Sequence, residues 1–266
     1  MKKTLTLTLA ALALTVSSAF AEMLPSYKIG AYTDVDTAKS KLSAVGFEVV
    51  GTYPSFDKGT TILYTNSAMK ADAAKANRGF AGVGRILVDS EHNQVHIANP
   101  VYFNTAFLQK DYDAGTANAT LASLKKAFGS LKDSEDAFES SKLAGYHFMM
   151  SMPYYEDMDL VGEGTTAELV AKAKAAKGTT AVVHLGGDHY LAFVDLDKRT
   201  SGFVKKIGTQ NSELLPYAVL IEGGKAKALN AKYFIAVSYP LLTMTEFMGI
   251  ATMPDAITKN LQKIFK

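Results

Sequence analysis

The chain has 266 residues, with 28 lysine and arginine residues against 26 acidic residues and a formal net charge of +2. This near balance, without a long basic block, argues against nucleic acid as a partner. Cysteine and tryptophan are absent from the sequence, so disulfide stabilisation and thiol chemistry are excluded. The hydrophobic content of 48% is ample for a buried core.

The first 21 residues have the pattern of a cleavable secretory signal. Lys2 and Lys3 precede an apolar run from Leu5 to Val16, and residues 19–21 place alanine at the two positions that a signal peptidase reads. The apolar run is shorter than the roughly 20 residues needed to cross a bilayer, which favours cleavage after Ala21 over a membrane anchor. We therefore expect an exported, soluble periplasmic protein without a membrane span after cleavage.

Helix and strand signals recur in the same order in both halves. The first predicted helix starts after Asp34, a favourable N-cap, and ends at Gly46. A strand is predicted over residues 47–53. In the second half, Thr165 and Glu168 have the spacing of a capping box, and the β-rich run 179–185 follows the helix. Each half reads as strand, helix, strand, strand, helix, strand, strand.

Two further helices have one apolar stripe each. The stripe of the helix predicted over 116–131 comprises Ala117, Leu121, Leu124, Phe128 and Leu131. The polar run KDSEDAFESSK, residues 132–142, is predicted to be a surface linker. The last helix has Pro254 in its first turn and a stripe of Ile257, Leu261 and Ile264. We expect this stripe to pack against the helix's own domain. The alternative is that it binds a partner protein or a membrane surface.

One pair of segments suggests an internal repeat. NPVYFNTAFL, residues 99–108, aligns with YPLLTMTEFM, residues 239–248, so that Pro100 matches Pro240 and Phe107 matches Phe247. The alternative is that two unrelated α/β segments have similar residue patterns by convergence. We predict a pseudo-duplicated α+β fold of two similar antiparallel-sheet units, each with helices packed on one face. The units are residues 22–115 and 143–266, joined by a helix and linker at 116–142.

The second half also resembles a known family. LLPYAVLIEGGKAKAL, residues 214–229, followed by SYPLLTMTEF, is similar to the bacterial family called domain of unknown function 302, and GFEVV, residues 46–50, resembles its Gly-Phe signature. The resemblance implies a small α+β domain with an antiparallel sheet that tends to dimerise; a duplicated chain would supply both halves itself. That family often has cysteine where this chain has Tyr217, so a thiol or metal role there is not implied. It has no agreed biochemical function.

The repeated proline segments predict an apolar ligand-binding cleft between the halves, a usual place for small-ligand pockets. The alternative is an ordinary inter-domain core. The candidate ligand-binding residues are Pro100, Tyr102, Phe103, Phe107, Tyr239, Pro240, Met244 and Phe247.

Histidines and methionines form a second candidate site, for copper or zinc. In GYHFMMSMPYYEDMD, residues 145–159, a strand would place His147 and Met149 on one face. In VVHLGGDHYLAF, residues 182–193, a two-residue Gly-Gly turn would place His184 opposite His189. The alternatives are a buried core strand with methionine as gap-filler and solvated histidines at a hairpin end. His92 and His96, flanking another turn, are a weaker signal.

No catalytic set can be named from the sequence. The glycines of RGFAGVG, residues 78–84, lack dinucleotide or P-loop spacing, and no cofactor is predicted. The leading hypothesis is a non-enzymatic exported binding or accessory protein, whose partner is a small apolar ligand or an envelope protein. Copper or zinc handling is the alternative. The sequence is also compatible with a homodimer.

Overall fold

A computed structural model describes residues 22–266, so the predicted signal segment lies outside the described residues. The fold is α+β, as predicted, and its strand pairs are antiparallel. The strands are β1 (Met23–Pro25), β2 (Tyr27–Ala31), β3 (Glu48–Phe56), β4 (Gly59–Thr65), β5 (Gly84–Asp89), β6 (Gln94–Ala98), β7 (Lys132–Asp133), β8 (Ala137–Glu139), β9 (Asp159–Glu163), β10 (Thr179–Gly186), β11 (His189–Val194), β12 (Tyr217–Glu222) and β13 (Lys225–Ala228).

Eleven α-helices connect these strands within the described residues. They are α1 (Val35–Ala44), α2 (Ser67–Ala73), α3 (Pro100–Leu108), α4 (Ala114–Phe128), α5 (Ser140–Leu143), α6 (Thr166–Ala175), α7 (Lys198–Ser201), α8 (Val204–Ile207), α9 (Ala231–Ser238), α10 (Met244–Gly249) and α11 (Met253–Phe265). Short 3-10 helices lie at Gly79–Gly82, Gln109–Asp111 and Thr209–Leu214.

Several predicted helix ends are confirmed. Asp34 accepts a hydrogen bond from the backbone N–H of Thr37 (2.9 Å) at the start of α1. Gly46, just after that helix, has φ +89°, which glycine adopts without strain. Thr165 and Glu168 form the predicted capping box of α6. Local side-chain chemistry therefore sets these boundaries.

The two large sheets have a similar strand order, apart from the additional strand β7 at the end of the first. The first is ordered β3-β4-β5-β6-β2-β7 and the second β10-β11-β12-β13-β9. The register also agrees, because Asp89 pairs with Gln94 as Glu222 pairs with Lys225, at the corresponding hairpin ends. A third, two-stranded sheet joins β1 to β8.

The Pro100 and Pro240 segments have different structural settings, since Pro100 lies in the first turn of α3. The helix that follows β13 is α9, and its N-cap Asn230 occupies the position that Asn99 occupies after β6. Each asparagine accepts a backbone N–H two residues on, at 3.1 Å in α3 and 3.0 Å in α9. The motif common to both helices is Asn-x-x-Tyr-Phe. Pro240 lies in the turn after α9 instead.

We expect the two caps to contribute alike to stability. Asn99→Ala and Asn230→Ala should each lower the free energy of unfolding by about 1–2 kcal/mol, because each leaves helix N–H groups without an acceptor. Urea unfolding measures the change. Asn118→Ala, on the exposed face of α4, is the control and should be neutral or slightly stabilising. A silent cap would show that its helix end is held by packing alone.

Each large sheet has one face covered by helices of its own half. In the first half, Ala38 and Leu42 of α1 and Leu124 of α4 pack with strand residues such as Ile62 and Ile97 in one buried cluster. In the second half, α6 and α11 pack against each other and against the sheet. The opposite faces share a larger core that draws residues from both halves.

The halves also contact each other reciprocally, through the turn at Asn77 in the first half and the 3-10 helix Thr209–Leu214 in the second. In one direction, Glu213 of the second half is hydrogen-bonded to His96 of β6. In the other, the backbone N–H of Asn77 in the first half donates to Glu222 Oε1 of β12 (2.9 Å), and Lys227 of β13 is hydrogen-bonded to Asn77 Oδ1. Each half thus places a loop on the equivalent hairpin of the other.

Two predicted segments differ in the structure. Residues 145–158 form turns and bends, not the expected strand, and Met150 is 91% exposed. The expected surface linker, residues 132–142, contributes β7, which pairs with β2, and β8, which pairs with β1. Across residues 22–266, no helix combines the length and hydropathy that a bilayer crossing requires.

Candidate functional site

A cavity lies between the inner faces of the two sheets. It has a volume of about 50 Å³, and both halves line it. Most of the lining is apolar, and its main side chains are Phe80, Phe103, Phe107, Leu191, Phe193 and Phe234. Since water needs roughly 10–15 Å³ of such space, the cavity has room for only a few non-hydrogen atoms.

Helices α3 and α9 form one wall of this cavity. The Phe107 and Phe234 rings lie 6.2 Å apart, one from each helix. Tyr102 of α3 donates to the carbonyl oxygen of Val237 in α9 (2.8 Å), which fixes the two helices together. The equivalent helices of the two halves therefore meet at the site.

Arg85 is the basic residue of the lining. It lies on β5 with 9% of its surface exposed, and its Nη1 donates to the backbone carbonyl of Glu213 (2.6 Å). The guanidinium carbon lies 5.2 Å from the ring centre of Phe193 and 5.8 Å from that of Phe234. Burial lowers the pKa of Arg85 to about 10, so the group is still cationic at neutral pH.

Glu213 and His96 form a buried pair beside this cation. Their side chains, Oε2 and Nδ1, are hydrogen-bonded, and both residues are at most 6% exposed. Burial raises the pKa of Glu213, and the neighbouring His96 partly offsets the increase. Glu213 Oε1 has no hydrogen-bond partner among the described residues.

Tyrosines complete the polar end of the site. The Tyr27 ring stacks on His96 at 4.3 Å and on Tyr239 at 5.6 Å. Burial, followed by the charge at Glu213, raises the pKa of Tyr239, and burial is also the largest cause of the raised pKa of Tyr27. Both phenols are therefore neutral hydrogen-bonding groups at physiological pH.

Three of the predicted ligand-binding residues line the cavity: Pro100, Phe103 and Phe107. Tyr102 and Tyr239 are fully buried beside it, and Tyr239 donates to the carbonyl of Asn211 (2.5 Å).

The other three predicted ligand-binding residues lie outside the lining. Phe247 is buried against Phe148 at 5.2 Å, Met244 is 41% exposed, and Pro240 is half-buried in a turn. The structure thus groups the α3 segment and separates it from α10.

The histidine pair predicted at the β10–β11 hairpin is not formed. His184 is opposite Tyr190, and His189 is opposite Gly186, because the turn consists of Gly187 and Asp188. The Asp188 carboxylate accepts hydrogen bonds from Gly223 N–H and the Thr166 hydroxyl, each at 2.9 Å, which fixes this turn. The shift moves the two imidazoles out of register.

The predicted metal ligands have separate surroundings. His184 stacks on Tyr190 at 4.6 Å, and His189 lies 3.5 Å from Glu222. The His147 ring lies 4.4 Å from the Tyr154 ring in a tilted arrangement. Met149 is 46% exposed in the 145–158 loop. Within residues 22–266, no three histidine, cysteine or acidic side chains are grouped to hold a metal ion.

Sequence reasoning did not identify Arg85 and Glu213. Arg85 directly precedes the apolar run Ile86–Val88 within the buried strand GRILVD, which is a signal for a buried charge. Glu213 directly precedes the apolar residues Leu214 and Leu215. The contact between them could not be predicted, because they are 128 residues apart in the chain.

Comparison of the chain with protein-family models, with curated proteins and with solved structures finds no significant match. The functional argument therefore depends on the geometry of the cavity.

The arrangement suits binding. A cation, a carboxyl group and neutral phenols lie at one part of a mostly apolar cavity.

Proposed function

We propose that the protein is an exported, non-enzymatic binding protein that holds a small, mainly apolar molecule in the cavity between its two sheets. The observation that carries the proposal is the cavity of about 50 Å³, with a phenylalanine-rich lining and a buried guanidinium. Preformed apolar cavities with few polar groups are the usual form of small-ligand sites. Export is supported by the signal-like pattern of the first 21 residues.

The first test is a titration of isotope-labelled protein with molecules of about five non-hydrogen atoms, followed by amide chemical shifts. We expect saturable shifts at lining residues such as Ala81, Phe103 and Ala218. Ala218→Val should abolish the shifts, because the added methyl groups occupy the cavity. Ala181→Val, on strand β10 of the same sheet and outside the lining, is the matched control and should bind normally. If none of the probes produces saturable shifts in the wild-type protein, the proposed function is wrong.

We also infer that the two halves arose by duplication of one unit. Support comes from the similar strand order, the matched hairpin register and the Asn-x-x-Tyr-Phe motif at the start of α3 and α9. The resemblance to domain of unknown function 302 belongs to the same proposal. The Gly223–Gly224 turn of that resemblance joins β12 to β13.

A further inference from the structure

The guanidinium of Arg85 has more hydrogen-bonding capacity than the protein uses. Arginine has five N–H donors, and one hydrogen bond, from Nη1 to the Glu213 carbonyl, is found among the described residues. A buried charge is costly unless it is paired and hydrogen-bonded. The aromatic rings of Phe193 and Phe234 compensate the cation in part. An anion in the cavity would supply the rest.

No acidic side chain of the described residues forms an ion pair with Arg85. The carboxyl group of Glu213, which also lines the cavity, is hydrogen-bonded through Oε2 to His96 rather than to Arg85. Asp89 lies four residues farther along β5, roughly 13 Å away by strand rise. Its carboxylate is already engaged by the backbone N–H groups of Glu91 and His92 and by the His92 ring, at 2.9, 3.1 and 2.6 Å.

The tyrosines near Arg85 add no negative charge. Tyr27, Tyr217 and Tyr239 are neutral at physiological pH, since burial raises the pKa of each. Arg85 is therefore the cation at this end of the cavity, and the N–H donors that it leaves unused are free to meet a ligand.

We propose that the ligand is a short-chain monocarboxylate of about two to four carbon atoms, a length set by the few non-hydrogen atoms that the cavity admits. This inference rests on the proposed function and names its substrate class. The carboxylate accepts two parallel N–H bonds from Arg85, the geometry that guanidinium groups favour. The alkyl chain lies against the phenylalanine rings of the lining. An inorganic anion would leave that apolar wall without a partner.

The test compares three probes of similar size: propionate, its neutral isostere propionamide, and nitrate. Titration follows the Arg85 side-chain Nε–H signal and the amide signals of the lining. Propionate should bind at least tenfold more tightly than propionamide and than nitrate, and should shift the Arg85 signal. Arg85→Met should bind propionate and propionamide equally. Arg85→Lys keeps the positive charge but cannot form the two parallel N–H bonds. It should therefore retain only part of the preference for propionate over propionamide.

The outcomes separate the two proposals. Equal affinities of wild-type protein for propionate and propionamide would overturn the carboxylate inference and leave the proposed function standing. Nitrate that binds as tightly as propionate would also overturn it, since the site would then recognise charge alone. Failure of all three probes would remove both proposals. If Arg85→Met does not fold, the Arg85→Lys variant and the comparison of probes in the wild-type protein still test the carboxylate inference.

Discussion

Phe193→Ala should lower the free energy of unfolding by about 3–5 kcal/mol, the usual cost of removing a buried phenylalanine ring. Phe193 is 1% exposed, and the substitution also removes one of the two rings beside Arg85. The space left has the size of a benzene ring and adjoins the cavity. We therefore expect the variant to bind benzoate, with its carboxylate on Arg85, and to gain thermal stability from it.

The matched control is Phe47→Ala. Phe47 is 4% exposed, but it belongs to the other core cluster and packs on Tyr64 at 4.9 Å. Its removal should cost a similar free energy and leave a similar space without a guanidinium. Thermal unfolding with benzoate and with neutral benzyl alcohol distinguishes the two variants. Equal stabilisation of Phe193→Ala by both probes would show that Arg85 does not reach the ligand.

His96→Phe should lower the free energy of unfolding by about 3 kcal/mol or more at neutral pH, because it leaves a buried carboxyl group without its partner. Phenylalanine keeps the stacking on Tyr27 and removes only the nitrogen that bonds Glu213. Chemical unfolding measures the loss. His184→Phe is the control, since His184 also stacks on a tyrosine, Tyr190, but is exposed; it should change stability by less than about 0.5 kcal/mol.

The cost of His96→Phe should depend on pH. The pKa of Glu213 is raised in the folded protein, chiefly by burial, so the stability that this group contributes is present below its unfolded pKa and is lost as the pH rises through its folded pKa. Removing His96 removes the opposing influence and raises that pKa further. The gap between wild type and variant should therefore widen as the pH rises above the unfolded pKa of glutamate. A gap independent of pH would show that packing alone is lost.

Elements set by local chemistry were predictable from sequence. The caps at Asp34 and Thr165 and the Ala-rich helix α6 depend on residues within a few positions of each other, and all are confirmed. The helix predicted at 116–131 lies at Ala114–Phe128, and its residues Ala117, Leu124 and Phe128 are buried as expected.

Features set by distant contacts were not predictable. The β10–β11 turn is shifted because Asp188 bonds to Thr166 and Gly223, which no local pattern reveals. The polar part of the site depends on Glu213 reaching His96 across 117 residues of chain. Two residues of its apolar lining, Phe103 and Phe107, were predicted from the sequence, because an apolar helix that follows a strand is a local signal.

The placement of β3 beside β10 bears on how the protein behaves at high concentration. Each is the outer strand of its sheet, and they lie so close that a methyl group at Gly51 would be 2.8 Å from Thr180 Cγ2. An outer strand left open offers unpaired backbone groups to other molecules and promotes aggregation. Here the two outer strands shield each other, and the opposite edges are the two-residue β7 and the short β9 with acidic ends, Asp159 and Glu163. The molecule thus carries its own protection against edge-to-edge association with neighbours.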